Sequence, residues 1–259
     1  EVGGQISVLE PAVLRSIVND AAHGLGDAVD VDAVYQEALT SLYDGVSRQE
    51  ISKALVLSAR ARTDREPEYA QLAARLRLDD MYAEAIGRPV TRRDMTVAYT
   101  SEFESYLTLG VSIGRLDPRL LEFDVPRIAG ALKADRDLQF SFMGVQTLYD
   151  RYLIHDTGRR IELPQWFWMR VAMGLSLGEA NATMEQRADR AIEFYDVLST
   201  FSFCSSTPTL FNAGTKHPQL SSCFLTTVQD DLGDIFKAIR DNAMLSKWSG
   251  GLGNDWTNV

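Results

Sequence analysis

The 259-residue chain carries a formal net charge of -10 and a sequence pI near 4.8, a balance that excludes binding to nucleic acid by neutralisation of backbone phosphates, which needs a basic surface. Its 45% hydrophobic content suffices for one large core or two smaller ones, and 24% charged residues match an ordinary globular chain rather than a disordered one. No apolar run approaches the roughly 18 to 20 residues that span a bilayer and no basic-then-apolar leader opens the chain, so a cytoplasmic protein without membrane contact is expected.

Apolar Val13, Leu14, Ile17, Val18, Ala21 and Leu25 recur at helical spacing after Pro11, with Gly24 and Gly26 as a stop. A second helix is predicted over Val31–Tyr43, closing at Asp44-Gly45. A third starts at Ser47, whose hydroxyl can cap while Glu50 reaches back, and runs to about Arg62. Glu66-Pro67 opens a fourth, with Tyr69, Leu72, Ala73, Leu76 and Met81 on one stripe, ending near Gly87. Asp94–Leu109 reads as one further helix; Gly110–Pro118 and Asp124–Pro126 then break the pattern before a short helix over Ile128–Leu132.

Between Tyr152 and Leu163, two apolar stretches flank Asp156-Thr157-Gly158, which predicts a β-hairpin. Pro164 suits the first turn of an apolar helix over Trp166–Leu177, and Met184–Phe201 is strongly amphipathic. Ser205–Lys216 reads as a loop, rich in Ser, Thr, Pro and Gly. A strand begins at Leu220, where Cys223, Leu225 and Thr227 alternate with Phe224 and Thr226, and Asp230-Asp231 precede a helix from Leu232 to about Trp248. Such a strand-then-helix unit belongs to α/β folds, whose ligands sit at the carboxyl ends of strands. The chain opens on Glu1 rather than Met and closes just past a glycine turn, so it is expected to be a piece of something longer.

Two cysteines, Cys204 and Cys223, and three histidines, His23, His155 and His217, form no CxxC or HxxxH spacing, and no metal site is expected. Chemistry concentrates in three blocks: Ser205-Ser206-Thr207-Pro208-Thr209-Leu210-Phe211-Asn212-Ala213-Gly214-Thr215, then Gln219-Leu220-Ser221-Ser222-Cys223-Phe224-Leu225, then Gly250-Gly251-Leu252-Gly253-Asn254-Asp255-Trp256. In this order and spacing they resemble the large subunit of ribonucleotide reductase, most similar to class I, whereas a lone Gly-Gly-x-Gly would carry little weight. Upstream, Glu66-Pro67-Glu68-Tyr69 with Ala73-Ala74-Arg75-Leu76 is similar to the end of that family's regulatory ATP-cone and the start of its helical domain. Asp135-Arg136-Asp137-Leu138 and Tyr195-Asp196-Val197-Leu198-Ser199-Thr200-Phe201 match the helical domain itself.

The resemblance implies a mainly α fold: a partial or degenerate ATP-cone-like helical region over 1–72, a helical amino-terminal domain over 73–218 with a small hairpin near 152–163, and over 219–259 the first strand-helix unit of a ten-stranded α/β barrel. Only Gly3-Gly4-Gln5-Ile6 and the following helices correspond to the cone's phosphate-cradling start. The implied activity is radical-based reduction of ribonucleotides to deoxyribonucleotides, incomplete without the family's downstream residues. A non-catalytic nucleotide-sensing or assembly module is the competing reading.

Reducing a ribose carbon takes two electrons, which a pair of thiols supplies by closing to a disulfide. Cys223 resembles one member of the family's redox pair, its partner lying beyond this chain. Without the motif, a buried structural cysteine would be the ordinary reading. Cys204, beside Phe201 and Phe203, matches no family cysteine and is expected to pack; a Cys204–Cys223 disulfide is the rival arrangement. Thr207 and Ser222 match positions that contact the ribonucleotide, though Ser and Thr also suit turns. Gly250 and Gly251 resemble a glycine pair that admits the nucleotide close to the backbone, compatible with a helix end at Gly250. Asp230 matches the residue that binds the deoxyribonucleoside triphosphate effector, and equally suits the start of the Leu232 helix. The resemblance further implies dNTP and ATP effectors and no cofactor bound directly. The radical would come from a metal-containing small subunit, or from adenosylcobalamin if the enzyme is class II. The implied partners are the carboxyl-terminal remainder of the subunit, a thioredoxin- or glutaredoxin-type reductant, and further copies in a homo-oligomer.

Overall fold

A computed structural model describes residues 8–247 and 250–259. Its helices, in chain order, are α1 (Pro11–Ala22), α2 (Val31–Thr40), α3 (Arg48–Arg60), α4 (Glu68–Ile86), α5 (Met95–Ser101), α6 (Phe103–Ser112), α7 (Val125–Gly130) and α8 (Phe142–Arg151). A two-stranded hairpin, β1 (His155–Asp156) and β2 (Arg159–Arg160), precedes α9 (Pro164–Ser176), α10 (Met184–Ser199) and α11 (Thr207–Asn212). The chain then runs through β3 (Cys223–Gln229), α12 (Leu232–Lys247) and β4 (Gly251–Asn258). These elements form two compact units, residues 8–102 with Leu132–Gln165, and Phe103–Ala131 with Trp166–Val259.

In the first unit, Leu14, Val18 and Ala21 of α1, Val34 and Ala38 of α2, Leu55, Val56 and Ala59 of α3, and Tyr69, Leu72, Ala73 and Leu76 of α4 form one core with Phe142. The helical spacing of these residues puts them on one face of each helix, and each large side chain fully buried there contributes about 1.5–3 kcal/mol. Local signals fix the helix ends. Asp30 caps α2 by accepting from the Ala33 amide, and Ser47 and Glu50 form the reciprocal capping box of α3. Gly87 ends α4 in the left-handed region, at φ 80°. The hairpin turns on Thr157 and Gly158, both at positive φ. It clamps the end of α4: Arg159 donates to the Glu84 and Ala85 carbonyls at 2.9 and 3.0 Å, and the Arg160 amide donates to the Glu84 carboxylate at 2.6 Å.

Asp137 is wholly buried in this unit and accepts from the Tyr82 and Tyr99 hydroxyls at 2.7 and 2.6 Å and from the Gln165 amide nitrogen at 2.7 Å. Burial pushes its carboxyl up to about 6 from an ordinary 3.8, against the opposing pull of the three donors.

In the second unit, α9 is buried along its length, with Trp166, Phe167, Met169, Val171, Ala172 and Met173 all sealed. Trp166 stacks on Tyr106 of α6 at 5.0 Å between ring centroids. Ala188, Ala191, Tyr195 and Leu198 of α10 complete this core, and Arg127 of α7 pairs with Asp189 of α10. Thr183 and Gln186 form a second capping box at the start of α10. Strands β3 and β4 pair in parallel around α12, with Cys223 opposite Gly251, Leu225 opposite Gly253 and Thr227 opposite Asp255.

Several expectations require correction. Asp94–Leu109 is not one helix: a 3-10 turn at Arg92–Asp94 leads into α5, and the chain breaks at Glu102 before α6, which continues through Gly110 to Ser112. Met95, Ala98 and Tyr99 are buried in the first unit, Phe103, Tyr106 and Leu107 in the second, so the break separates stripes that serve different cores. Gly110 is retained inside α6 because a Cβ there would meet Leu116 at 2.4 Å. The hairpin's strands are only two residues each, and Tyr152 caps α8, a helix the sequence pattern did not announce. Positions 72 and 73 lie within α4. Ser205–Lys216 contains α11, and the glycine-rich end forms β4. The expected motif at Gly3–Ile6 and the helix end at Trp248 lie outside the described residues.

The Asp137 network generates a pH-dependent prediction. The folded state holds a proton that the unfolded chain releases near pH 4, so this carboxyl contributes stability fully below about pH 4 and loses it as pH rises through about 6. Asp137→Asn, with the Gln165 amide turned to accept, should remove that loss; a melting-temperature profile parallel to wild type between pH 4 and 6 would refute the assignment. Asp137→Ala leaves two buried tyrosine hydroxyls without an acceptor and should cost about 3 kcal/mol or more in denaturant titrations.

Candidate functional site

All six residues singled out by sequence lie in the second unit, on or next to α11, β3 and β4. The arrangement starts from α9. Gly174 of α9 lies flush against the backbone just after α11: a Cβ on it would stand 2.0 Å from the Gly214 amide nitrogen. Gly214, at φ 73°, sits in turn on the backbone and Cγ of Arg170. Arg170 is fully buried and donates through Nη1 to the Ala213 carbonyl at 2.6 Å and through Nη2 to the Leu210 carbonyl at 3.5 Å. The carbonyl end of α11 is therefore held from beneath. A second tie comes from the loop before α7, where the Asp117 amide donates to the Gly214 carbonyl and Leu116 bridges to Thr215.

Helix α11 begins at Ser206, in extended conformation, with Pro208 in the first turn. Pro208, Thr209 and Leu210 are buried, while Thr207 is exposed at the leading end. Two side chains of α11 hold the approach to β3. The Thr209 hydroxyl donates to the Leu220 carbonyl at 3.0 Å, and the Asn212 amide nitrogen donates to the Gln219 carbonyl at 2.8 Å. Ser222 follows, exposed, and its carbonyl accepts from the Gly251 amide at 2.7 Å, which opens the parallel ladder.

Cys223 stands at the first position of β3 with an exposed side chain and is a free thiol. Along β3, Cys223, Leu225 and Thr227 face one side, and Phe224, Thr226 and Val228 are more buried on the other. Next to the thiol, β4 presents Gly251, where a Cβ would lie 3.4 Å from Sγ and 3.1 Å from the Ser222 carbonyl oxygen. Gly250 is equally constrained, a Cβ there standing 2.8 Å from the Phe224 ring, and its amide donates to the Leu245 carbonyl. Neither glycine of the pair has room for a Cβ beside its protein neighbours. The surface beside Cys223 is bare backbone.

Asp230 lies exposed at the carboxyl end of β3. The capping role that competed for it belongs to Asp231, whose carboxylate accepts from the Asp234 amide at 3.1 Å. Cys204 corrects an expectation: it does not pack but is exposed, as are Phe201 and Phe203, and its thiol is free. Phe201 takes up φ 56° in ending α10, turning the chain outward after the helix. Arg170, Thr209 and Asn212 are the contributors that sequence reasoning passed over. The last two lie in the Thr-Pro-Thr block and were in view, but an arginine in an otherwise apolar helix carried no partner within reach in the sequence.

Among the described residues, no group of three or more His, Cys, Asp and Glu is placed to hold a metal ion, and no helix is long and apolar enough to cross a membrane. Residues 138–218 match the all-alpha domain of ribonucleotide reductase, and residues 221–259 match its barrel domain. The chain is 50% identical over 234 residues to the ribonucleoside-diphosphate reductase subunit alpha of Chlamydia muridarum, covering 90% of this chain and 22% of that one. It is 34% identical over 260 residues to subunit alpha of Helicobacter pylori, covering 99% and 31%. With the ribonucleoside-diphosphate reductase large subunit of Danio rerio it shares 33% over 253 residues, 97% and 30% of the two chains. It thus spans less than a third of the length of these curated relatives.

The exposure of both sulfurs is directly measurable. Each of the two cysteines should react with a small alkylating reagent under native conditions, and peptide mapping should find both Cys204 and Cys223 modified. Modification of one equivalent only, with Cys204 protected until the chain is unfolded, would return Cys204 to a packing role.

Proposed function

Because this chain belongs to the ribonucleotide reductase large-subunit family, we propose that it supplies one redox thiol and part of the substrate and effector surface of a catalytic subunit that reduces ribonucleotides to deoxyribonucleotides. The observation that carries the proposal is the setting of Cys223: an exposed thiol at the start of a strand, flanked by the bare backbone of Gly251 and approached by the segment that α11 holds.

In the reaction, a carbon–hydroxyl bond of the ribose becomes carbon–hydrogen and the oxygen leaves as water. Two thiols give up two electrons and two protons and close to one disulfide. Cys223 is one of those thiols, acting as reductant rather than radical initiator, and its partner belongs to the downstream part of the subunit. Thr207 and Ser222 offer hydroxyl and backbone groups to the nucleotide, and Gly250 and Gly251 let it approach the strand closely. The radical that starts the chemistry comes from outside these residues. Its source is a metal-containing small subunit in a class I enzyme, or adenosylcobalamin in class II. The exposed apolar side chains Leu225, Phe236, Ile239 and Trp256 form the kind of surface that the remaining strands and helices of a barrel cover. A thioredoxin- or glutaredoxin-type protein returns the disulfide to thiols, and the subunit works as a homo-oligomer. Asp230 accepts from the sugar hydroxyl of a deoxyribonucleoside triphosphate effector, a role left open to it because Asp231 caps α12.

Reconstitution with the downstream segment and a radical-supplying partner tests the central claim. Cys223→Ser should abolish dithiol-dependent deoxyribonucleotide production, and undiminished product formation would remove the redox role. A second comparison separates the adjacent aspartates. Asp231→Ala should lower stability by about 1 kcal/mol, whereas Asp230→Ala should leave the melting temperature unchanged and weaken effector binding about tenfold, the loss of one hydrogen bond to a charged group. Equal effector affinity in wild type and Asp230→Ala would place the effector elsewhere.

A further inference from the structure

Helix α11 has six residues, too few to be stable by its own backbone bonding. What keeps it helical must lie in its surroundings, and at its carbonyl end the surrounding group is Arg170. Beyond residue 210 the helix has few amides left to satisfy its carbonyls, and Ala213 leaves helical geometry at φ -63°, ψ 131°. Arg170 fills that deficit with a buried cation, donating to the Leu210 and Ala213 carbonyls where the negative end of the helix accumulates. Its own position is fixed by α9 and by the Gly174 and Gly214 contact, which leaves no space for a side chain on either glycine.

We propose that Arg170 is a positioning residue for the nucleotide site: by holding the carbonyl end of α11 it sets the place of Thr207 and, through Thr209 and Asn212, the approach to Cys223. The path is continuous. Arg170 binds the end of α11; Thr209 and Asn212 of α11 bind the Leu220 and Gln219 carbonyls; two residues on, Ser222 receives the Gly251 amide and Cys223 begins the strand. Every link joins a side chain to backbone or backbone to backbone, so the geometry passes along the path whatever the neighbouring side chains do. The inference rests on the reading of Thr207 and Cys223 as nucleotide-facing, and Arg170 itself touches no substrate.

The test has two readouts. In this chain, amide exchange is followed at Leu210, Ala213 and Thr215, whose amides are bonded within the α11 turn. Arg170→Met should raise their exchange about tenfold or more while amides of α10 keep their protection, and Arg170→Lys, which retains one donor, should recover most of it. In the reconstituted reductase, Arg170→Met should raise KM for a ribonucleoside diphosphate about tenfold with a much smaller change in kcat, the split expected when binding geometry is lost and the reductant stays. Arg170→Lys should again fall between the two. Should Arg170→Met fail to fold, Thr209→Val breaks the same path at its other end and should shift KM in the same way. Unchanged exchange at the three amides, or raised exchange with an unchanged KM where Thr207→Ala raises KM, would overturn the inference. If Thr207→Ala and Cys223→Ser both leave turnover intact, the nucleotide-site reading fails instead, and the exchange result stands on its own.

Discussion

The buried guanidinium of Arg170 against the carbonyl end of α11 is the interaction on which the placement of that helix in the second unit depends. A six-residue helix has no stability to spare, and its leading residue, Thr207, is only as well placed as its far end. Burying a cation is costly unless its donors are used. Here the donors meet carbonyls that a short helix leaves unsatisfied, so the two costs offset each other. The close contact of Gly174 with Gly214 follows from the same requirement, since the carbonyls must come within reach of a side chain rooted in α9.

The first unit solves a comparable problem with a carboxylate. Asp137 is sealed from water and meets two tyrosine hydroxyls and an amide, which joins α4, α5 and the beginning of α9 around one acceptor. An apolar side chain of similar size would leave those donors without an acceptor, and a charged one without them would not remain buried. The hairpin at Thr157-Gly158 serves the same unit from outside by capping α4. In both units a polar group within the core ties helices that apolar packing alone would leave free to slide.

Local chemistry made much of this legible in the sequence. Ser47 with Glu50 is a capping box in the structure, Gly87 ends α4, Thr157-Gly158 makes the turn, and Cys223, Leu225 and Thr227 share one face of β3. Each depends on residues within a few positions of one another, which is why spacing reveals it. The exceptions have the opposite character. Helix α11 opens on Thr-Pro-Thr and closes on Asn, and five of the eight residues of β4 are Gly, Asn or Asp, residues that do not favour the structure they adopt. The break at Glu102 lies in an unbroken helical pattern because only the separation into two cores requires it.

The candidate site divides along the same line. From the sequence alone came the identity of the blocks, the strand that carries Cys223, the glycine pair and the two adjacent aspartates. These are chemical identities and short-range periods, and they survive without knowledge of what lies opposite. Tertiary structure decided that Cys204 faces outward, that Gly251 is the neighbour of Cys223, and that an arginine 37 residues upstream of Thr207 in the numbering reaches the end of its helix. Those outcomes turn on which carbonyls remain unsatisfied and which donors can reach them. That is settled only when segments distant in the chain are packed together, because hydrogen-bond satisfaction in a core is a property of the whole arrangement rather than of any residue in it.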